Sequence, residues 1–510
     1  MKNIYIKIIA VLVLASSFSA CDTDELRNLN VNPNAVNEID MSYLLAQAQL
    51  QNYPNVFAVT SLEATVSAYI QHMAAVQGYW NLGDKYLEAT LPQADFFKYS
   101  YLGPVVTINE VINNTKDDPS QEGLYAVARI TKVIIMHRIT DLYGDIPYFE
   151  AAGNFEDSDF LPEYDSQEEI YADMLNELEE SVEILSSGAT FANPGQDLIY
   201  EGDLSKWEKL GNSLMLRLAM RLSEVNPTEA EAWVTKAVAG NLLASNDDNA
   251  VLHHTDGPTQ ENMNPRHYQY EREDHQKLST TFVDWLKAND DPRMMVYSGG
   301  IGELGGTIDM DPANQNGMPN GYDLTTIKDY EGVAEDVDIA NTYSRNNLLL
   351  VNRVAPSILL VYGEVQLLLA EAAERNWISG DPETYYNAGV VAAMTMYDVF
   401  AGLPVYVTEQ EANDYLTANP YNPAQGLEMI GIQYWALNFT NIPEAYSNWR
   451  RTGYPALTAV EYPTSRTDGV IPTRLKYLPS EAVTNQENLL EAIDRQGPDT
   501  YTTKVWWDVE

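Results

Sequence analysis

In the stretch SKWEKLGNSLMLRLAMRL, residues 205–222, Trp207, Leu210, Leu214, Leu218 and Leu222 recur at spacings of three and four. That period puts all five on one stripe of an α-helix and commits the stripe to burial. Such a helix needs a partner, because most helical stability in a folded chain comes from packing an amphipathic face. The sequence supplies partners in pairs. APSILLVYGEVQLLLAEAAERNW (355–377) and PETYYNAGVVAAMTMYDVF (382–400) read as two helices joined only by ISGD, with Asp381 as cap and Pro382 at the first helical position. A connection that short folds the pair into an antiparallel hairpin. Further starts are marked by Ser166 with Glu169, Ser205 with Glu208 and Thr228 with Glu231, each at capping-box spacing. The expectation is a mostly α chain of tetratricopeptide-like helical hairpins. No clean 34-residue period runs through it, so the repeats are degenerate.

The texture changes between 254 and 350, where GGIGELGGTIDMDPANQNGMPNGYD (299–323) is rich in Gly, Asn and Asp. A loop-rich segment of that length inside a compact chain points to function. The expected organisation is a helical region over 41–253, a loop-rich, ligand- or partner-facing lobe over 254–350, a helical hairpin over 351–400 and a C-terminal lobe over 401–510. That last lobe should hold helices near 424–438 and 480–494.

Charge removes one class of partner. Thirty Lys and Arg against 74 Asp and Glu leave −44, which repels nucleic-acid phosphates, so nucleic acid is not expected as a ligand. Chemistry-bearing motifs are missing as well. The six histidines form no His-Glu-x-x-His pair. In DMDPANQNG (309–317), Pro312 and Ala313 interrupt the alternating oxygen ligands of a calcium loop and favour an Asx-rich turn. There is no Gly-x-Ser-x-Gly elbow and no phosphate-cradling loop with a Lys. Two carboxylates would suffice for a glycosidase, but among 74 acids such a pair carries no information. No catalytic residue, metal or cofactor is assigned, and a surface glycosidase stands only as an alternative.

Aromatic clusters are more informative. GYWNLGDKY (78–86) places Tyr79, Trp80 and Tyr86 beside Asn81, Asp84 and Lys85, and NPRHYQYERED (264–274) places Arg266, His267, Tyr268 and Tyr270 in an expected loop. Flat rings beside amide and charged groups match the apolar C–H faces and hydroxyl rim of a sugar. The structural alternative for each cluster is a helix end packed on its neighbour.

The first twenty residues carry Lys2 and Lys7, the apolar run IIAVLVLA (8–15) and small residues up to Ala20. This is the order of a secretory signal, and eight apolar residues are too few to span a bilayer. Cys21 is the sole cysteine and has no partner for an internal disulfide. FSAC (18–21) resembles a bacterial lipobox, with Phe18 in place of the usual Leu, and implies a lipidated Cys21. Two or more acyl chains give stable membrane attachment. The acids Asp22, Asp24 and Glu25 behind it resemble the surface-export signal of Bacteroidetes lipoproteins. Residues 21–40, Asn-rich and with little period, read as a tether.

Six phrases resemble the SusD/RagB family, in particular its SusD-like branch: RITDLYGDIPYFEA (138–151), DPRMMVY (291–297), LLLAEAAERNW (367–377), YWALNFTNIPEAYSNWRRTGYPAL (434–457), IPTRLKYLPSEAVTNQENLLEAI (471–493) and KVWWD (504–508). The resemblance implies a non-catalytic outer-membrane lipoprotein that sits on a SusC-like TonB-dependent transporter and delivers glycans, or in some relatives peptides, to it. By order along the chain it places ligand segments at Tyr79, Trp80 and Asn81 and around Arg266 to Tyr270. Gly144 and Pro147 read instead as a helix stop and turn, and Trp449, Arg450 and Arg451 as braces of the C-terminal lobe.

Overall fold

A computed structural model describes residues 39–151, 161–271, 275–403 and 405–509. Cys21, the signal segment and all of the tether before residue 39 lie outside the described residues. Helix begins at Met41, where the pattern first turns amphipathic.

Helix Glu122–Tyr143 packs against Gln167–Ser186, which packs against Leu204–Arg221, which pairs in turn with Pro227–Ala239. Tyr362–Glu374 lies against Leu204–Arg221, forms a hairpin with Pro382–Thr395 and touches Gly426–Leu437. The next hairpin closes through Ile442–Thr452, which returns to Glu122–Tyr143. The fold is mostly α, built from tetratricopeptide-like hairpins as expected. The stripe of Trp207, Leu210, Leu214, Leu218 and Leu222 is buried throughout. Helix Glu122–Tyr143 ends where Gly144 takes a φ of +84°, the left-handed region that favours glycine at helix ends.

Two of the three marked starts differ from expectation. Ser166 does cap its helix, accepting from the Glu169 amide and donating to its carboxylate at 2.6 Å. Ser205 and Thr228 do not: Asp203 caps one helix through the Ser205 and Lys206 amides, and Asn226 caps the other ahead of Pro227. In both, an Asx side chain slightly upstream reaches the free N–H groups first. Residues 357–360 form a strand antiparallel to Ala250–Leu252, and the following helix begins only at Tyr362. A short apolar run buried on all sides reads equally as either element.

Buried ion pairs lock the hairpins together. Arg217 donates to Glu364 at 2.6 Å and 2.8 Å, Arg221 to both oxygens of Glu444 at 2.8 Å, and Arg451 to both oxygens of Glu371 at 2.5 Å and 2.6 Å. Burial disfavours the charge on Glu444, but the Arg221 and Arg217 guanidiniums outweigh it and hold the carboxyl at about 2. Arg451 therefore braces through an acid. Arg450 uses the Thr473 carbonyl at 2.9 Å and the rings of Tyr446 and Trp507, and Trp449 donates to the Pro455 carbonyl.

The loop-rich stretch holds more order than expected. Ser279 caps a helix over Thr280–Ala288, and strand Gln276–Leu278 pairs antiparallel with Met73–Ala75. In 309–317, Asp309 and Asp311 accept the amides of Asp311 and Ala313, the Asx turns expected there. The short sheet joins the two aromatic segments across some 200 residues of chain, Met73 opposite Leu278.

Candidate functional site

An open groove of about 820 Å³ lies between the 319–330 loop and the 458–464 segment, with Gln71 and Thr281 on its floor. Three rings give it its character. Tyr322 and Tyr330 stand 5.1 Å apart at 57°, and Tyr330 is nearly half exposed. Tyr462 faces them from the other wall, its hydroxyl donating to Asp323 Oδ2 at 2.8 Å. The other oxygen of Asp323 accepts the amides of Thr325 and Thr326. The Thr326 amide is the main cause that holds this carboxyl down at about 2, and the Tyr462 hydroxyl contributes. Asp323 is thus a clamp that is ionised at neutral pH and fixes one ring. Glu461 adds a second carboxylate to the lining.

Why these loops hold still follows from what lies behind them. The 78–86 segment is the frame of the groove. Trp80 is buried in a small cluster with Met318, Ile327 and Tyr343, under the 319–330 loop. Asp84, fully buried, accepts the Asn320 amide at 2.6 Å and the Gly321 N–H at 2.9 Å. Its neighbour Lys85 donates to Asp84 at 3.2 Å and to the Ala75 carbonyl at 2.9 Å, with the Tyr462 ring 5.8 Å away. Burial raises the Asp84 carboxyl, opposed by Lys85 and by the two donors of the loop. Tyr86 accepts the Val460 amide at 3.2 Å through its hydroxyl. Gly321 has a φ of +89°, and a Cβ there would lie 2.4 Å from Val460 Cγ1, so any other residue would strain the turn and push Val460 aside. Gln71 and Tyr86 both hold a φ of +53°. Left-handed backbone at bulky residues costs free energy and gathers where a ligand surface is fixed in advance.

The residues singled out in the sequence divide accordingly. Trp80 and Tyr86 are interior, so their expected role as contact surface does not hold; their rings support the groove from behind. Tyr79 is 37% exposed and Asn81 half-buried. In the second segment, residues 267–270 form one helical turn rather than a loop. Arg266 donates to Glu63 at 2.5 Å, Tyr270 donates to the other Glu63 oxygen at 2.9 Å, and His267 lies 3.4 Å from Glu271. All three side chains are buried, which corrects their assignment to a ligand surface: the buried Glu63 carboxylate consumes the polar groups of Arg266 and Tyr270, and the His267 ring is enclosed beside Glu271. Tyr268 alone of this segment keeps a half-buried ring.

Sequence reasoning missed Tyr322, Tyr330, Asp323 and Tyr462. The signal was available in NGYD (320–323), a turn sequence carrying its own aromatic and Asx residue. Among the described residues no group of three or more His, Cys, Asp or Glu could hold a metal ion.

A helical-hairpin scaffold that presents an open, rigid groove of tyrosines and carboxylates defines a binding protein. The family model described as SusD-like, starch-binding and associating with the outer membrane matches residues 33–478. The chain belongs to the SusD-like family, whose members are carbohydrate-binding proteins and not enzymes. Among solved structures it is similar to a chitin-binding protein at 33% identity and a TM-score of 0.80, over 92% of this chain and all of that one. A Bacteroidetes SusD-like protein matches at 26% identity and a TM-score of 0.82, again over 92% and all of the respective chains. A chitin-binding SusD homolog from Flavobacterium johnsoniae matches the fold at 24% identity and a TM-score of 0.75, over 92% and 99%. A search of curated proteins finds no match. No helix among the described residues is long and apolar enough to cross a membrane.

Proposed function

We propose that this chain is a cell-surface lipoprotein, anchored at the outer membrane through Cys21, that binds a glycan in the Tyr322–Tyr330–Tyr462 groove and passes it to a SusC-like TonB-dependent transporter. The groove itself carries the reading: rings fixed from behind, open to solvent in front, bordered by acceptors for sugar hydroxyls and amide N–H groups. The 33%-identical chitin-binding relative makes an N-acetylglucosamine oligomer the first ligand to try. Amide N–H groups suit Asp323 and Glu461, and the acetyl methyl suits a ring face. Tyr79, Asn81 and Tyr268 do not line the groove and stay in the proposed ligand-binding set only as part-exposed residues outside it.

Calorimetry of the mature chain lacking residues 1–21 with chitohexaose, beside malto- and xylohexaose, tests the glycan. Binding to one of these that Tyr330→Ala weakens tenfold or more at unchanged melting temperature is the expected result. Absence of binding, or indifference to Tyr330→Ala, refutes the groove. Cys21→Ser should leave the fold intact and release the protein from the outer-membrane fraction; retention there refutes the anchor.

A further inference from the structure

A second cleft, of about 570 Å³, opens on the helical side, where Thr280–Ala288, Pro382–Thr395, Glu409–Ala418 and Gly426–Leu437 converge. It shares no lining residue with the tyrosine groove. Trp285 is its one half-buried ring; Tyr386, Tyr415 and Tyr421 are buried behind the surface, with Tyr386 and Tyr421 4.9 Å apart. Its tyrosine hydroxyls are engaged, that of Tyr415 accepting from Gln433 and that of Tyr421 donating to Glu374, so the polar groups facing the opening are side-chain amides. Asn289 donates its amide N–H to the Trp285 carbonyl at 2.8 Å, and Asn419 donates to the Asn289 and Tyr415 carbonyls at 3.1 Å. With their donors turned inward, the two Oδ1 atoms remain as acceptors. Asn422 and Gln425 form an exposed rim. No described residue accepts from the indole N–H of Trp285, which is half-buried in the wall and braced edge-on by Trp435 at 5.9 Å.

No Asp, Glu, Lys, Arg or His lines this cleft. On a chain of net charge −44 that is a selective composition. A site for an acidic ligand needs a cation, and a site for a basic one would draw on the abundant carboxylates. The Trp285 indole together with uncharged amide acceptors fits a ligand that has flat apolar faces and many weak donors but no charge. We propose that this cleft is a second carbohydrate site, taking a neutral oligosaccharide that stacks on Trp285 and donates hydroxyls to Asn289 and Asn419. The inference stands on the cleft's own lining and does not depend on the groove. Two sites on one chain would hold a polymer by two segments at once, which raises retention without tightening either site.

The test uses the mature chain and five neutral hexasaccharides: chito-, cello-, manno-, xylo- and maltohexaose. At least one should bind to the Tyr330→Ala variant, in which the groove is impaired. That binding should fall tenfold or more in Tyr330→Ala/Asn422→Arg, where a charge on the exposed rim leaves the core untouched, and in Tyr330→Ala/Trp285→Ala. Melting temperatures establish that each variant is folded; should the Trp285 variant fail to fold, the rim variant alone decides. Failure of all five sugars to bind to Tyr330→Ala overturns the proposal, as does binding indifferent to Asn422→Arg. Displacement of the sugar by poly-L-proline overturns it in favour of a peptide site. If Tyr330→Ala leaves binding unchanged while Asn422→Arg alone abolishes it, the groove reading fails and the cleft stands.

Discussion

Removing Asp84 should loosen the groove without touching any ring that lines it. The carboxylate is fully buried and makes three contacts: Asn320 at 2.6 Å, Gly321 at 2.9 Å and Lys85 at 3.2 Å. Asp84→Ala strips the 319–323 loop of two hydrogen bonds to a charged acceptor, each worth about 1.5–3 kcal/mol. It also leaves the buried Lys85 ammonium with the Ala75 carbonyl and the more distant Tyr462 ring, and no counter-charge among its described partners. Breaking a buried pair from one side costs about 3–5 kcal/mol, most of it the uncompensated charge. A second variant separates the two effects. Asp84→Ala/Lys85→Met removes the stranded charge, so it should recover about 2 kcal/mol or more of global stability in urea unfolding. The loop remains untethered in both. If about 3 kcal/mol of its local stability is gone, amide exchange over 318–326 should rise about 100-fold, by 1.4 kcal/mol per decade, and chitohexaose affinity should fall in both variants. Exchange in this loop that returns to the wild-type rate in the double variant would refute the reasoning, because Asp84 would then act only as the counter-ion of Lys85.

The other expected outcomes are simpler. Asp323→Ala frees the Tyr462 hydroxyl and unties the Thr325–Thr326 turn; glycan affinity should drop by about 1 kcal/mol while Tyr330 stacking persists, which calorimetry on Asp323→Ala and Asp323→Ala/Tyr330→Ala would resolve. Gly321→Ala should reduce binding at least as much, since both its φ and its contact with Val460 exclude a Cβ. Glu444, held at about 2 against its ordinary 4.5, contributes stability that is complete above about pH 4.5 and is lost as the pH falls toward 2. The urea midpoint should therefore drop between pH 5 and 3, and Glu444→Gln should be less stable at pH 6 and flatten that part of the curve.

What could be read in advance depended on whether a property belongs to one element or to two. Helix stripes are local, so Trp207 to Leu222 are legible from spacing alone, and the pairing of 355–377 with 382–400 is legible from the short ISGD connection, although 357–360 are strand and the first helix starts only at Tyr362. Helix starts were less so, since Asp203 and Asn226 compete with the Ser and Thr beside them for the same amides. Strands 250–252 and 357–360 exist only as a pair more than a hundred residues apart, which no local period announces. The ligand segments fail in a more instructive way. GYWNLGDKY stands out because rings beside polar groups fit a sugar, yet the same pairing fits a buried brace, where a ring fills space and its polar neighbours satisfy another loop. Burial decides between the two, and burial of Trp80, Asp84 and Tyr86 is set by the 319–330 and 458–464 segments that fold over them. A sequence reading can therefore locate the neighbourhood and still choose the wrong layer. In the layer that faces solvent, Tyr322 and Tyr462 sit in Asn-, Gly- and Pro-punctuated loops, where a buried acid such as Asp84 holds the turn from beneath, and Tyr330 sits on the short helix Ile327–Glu331 that follows the first of them.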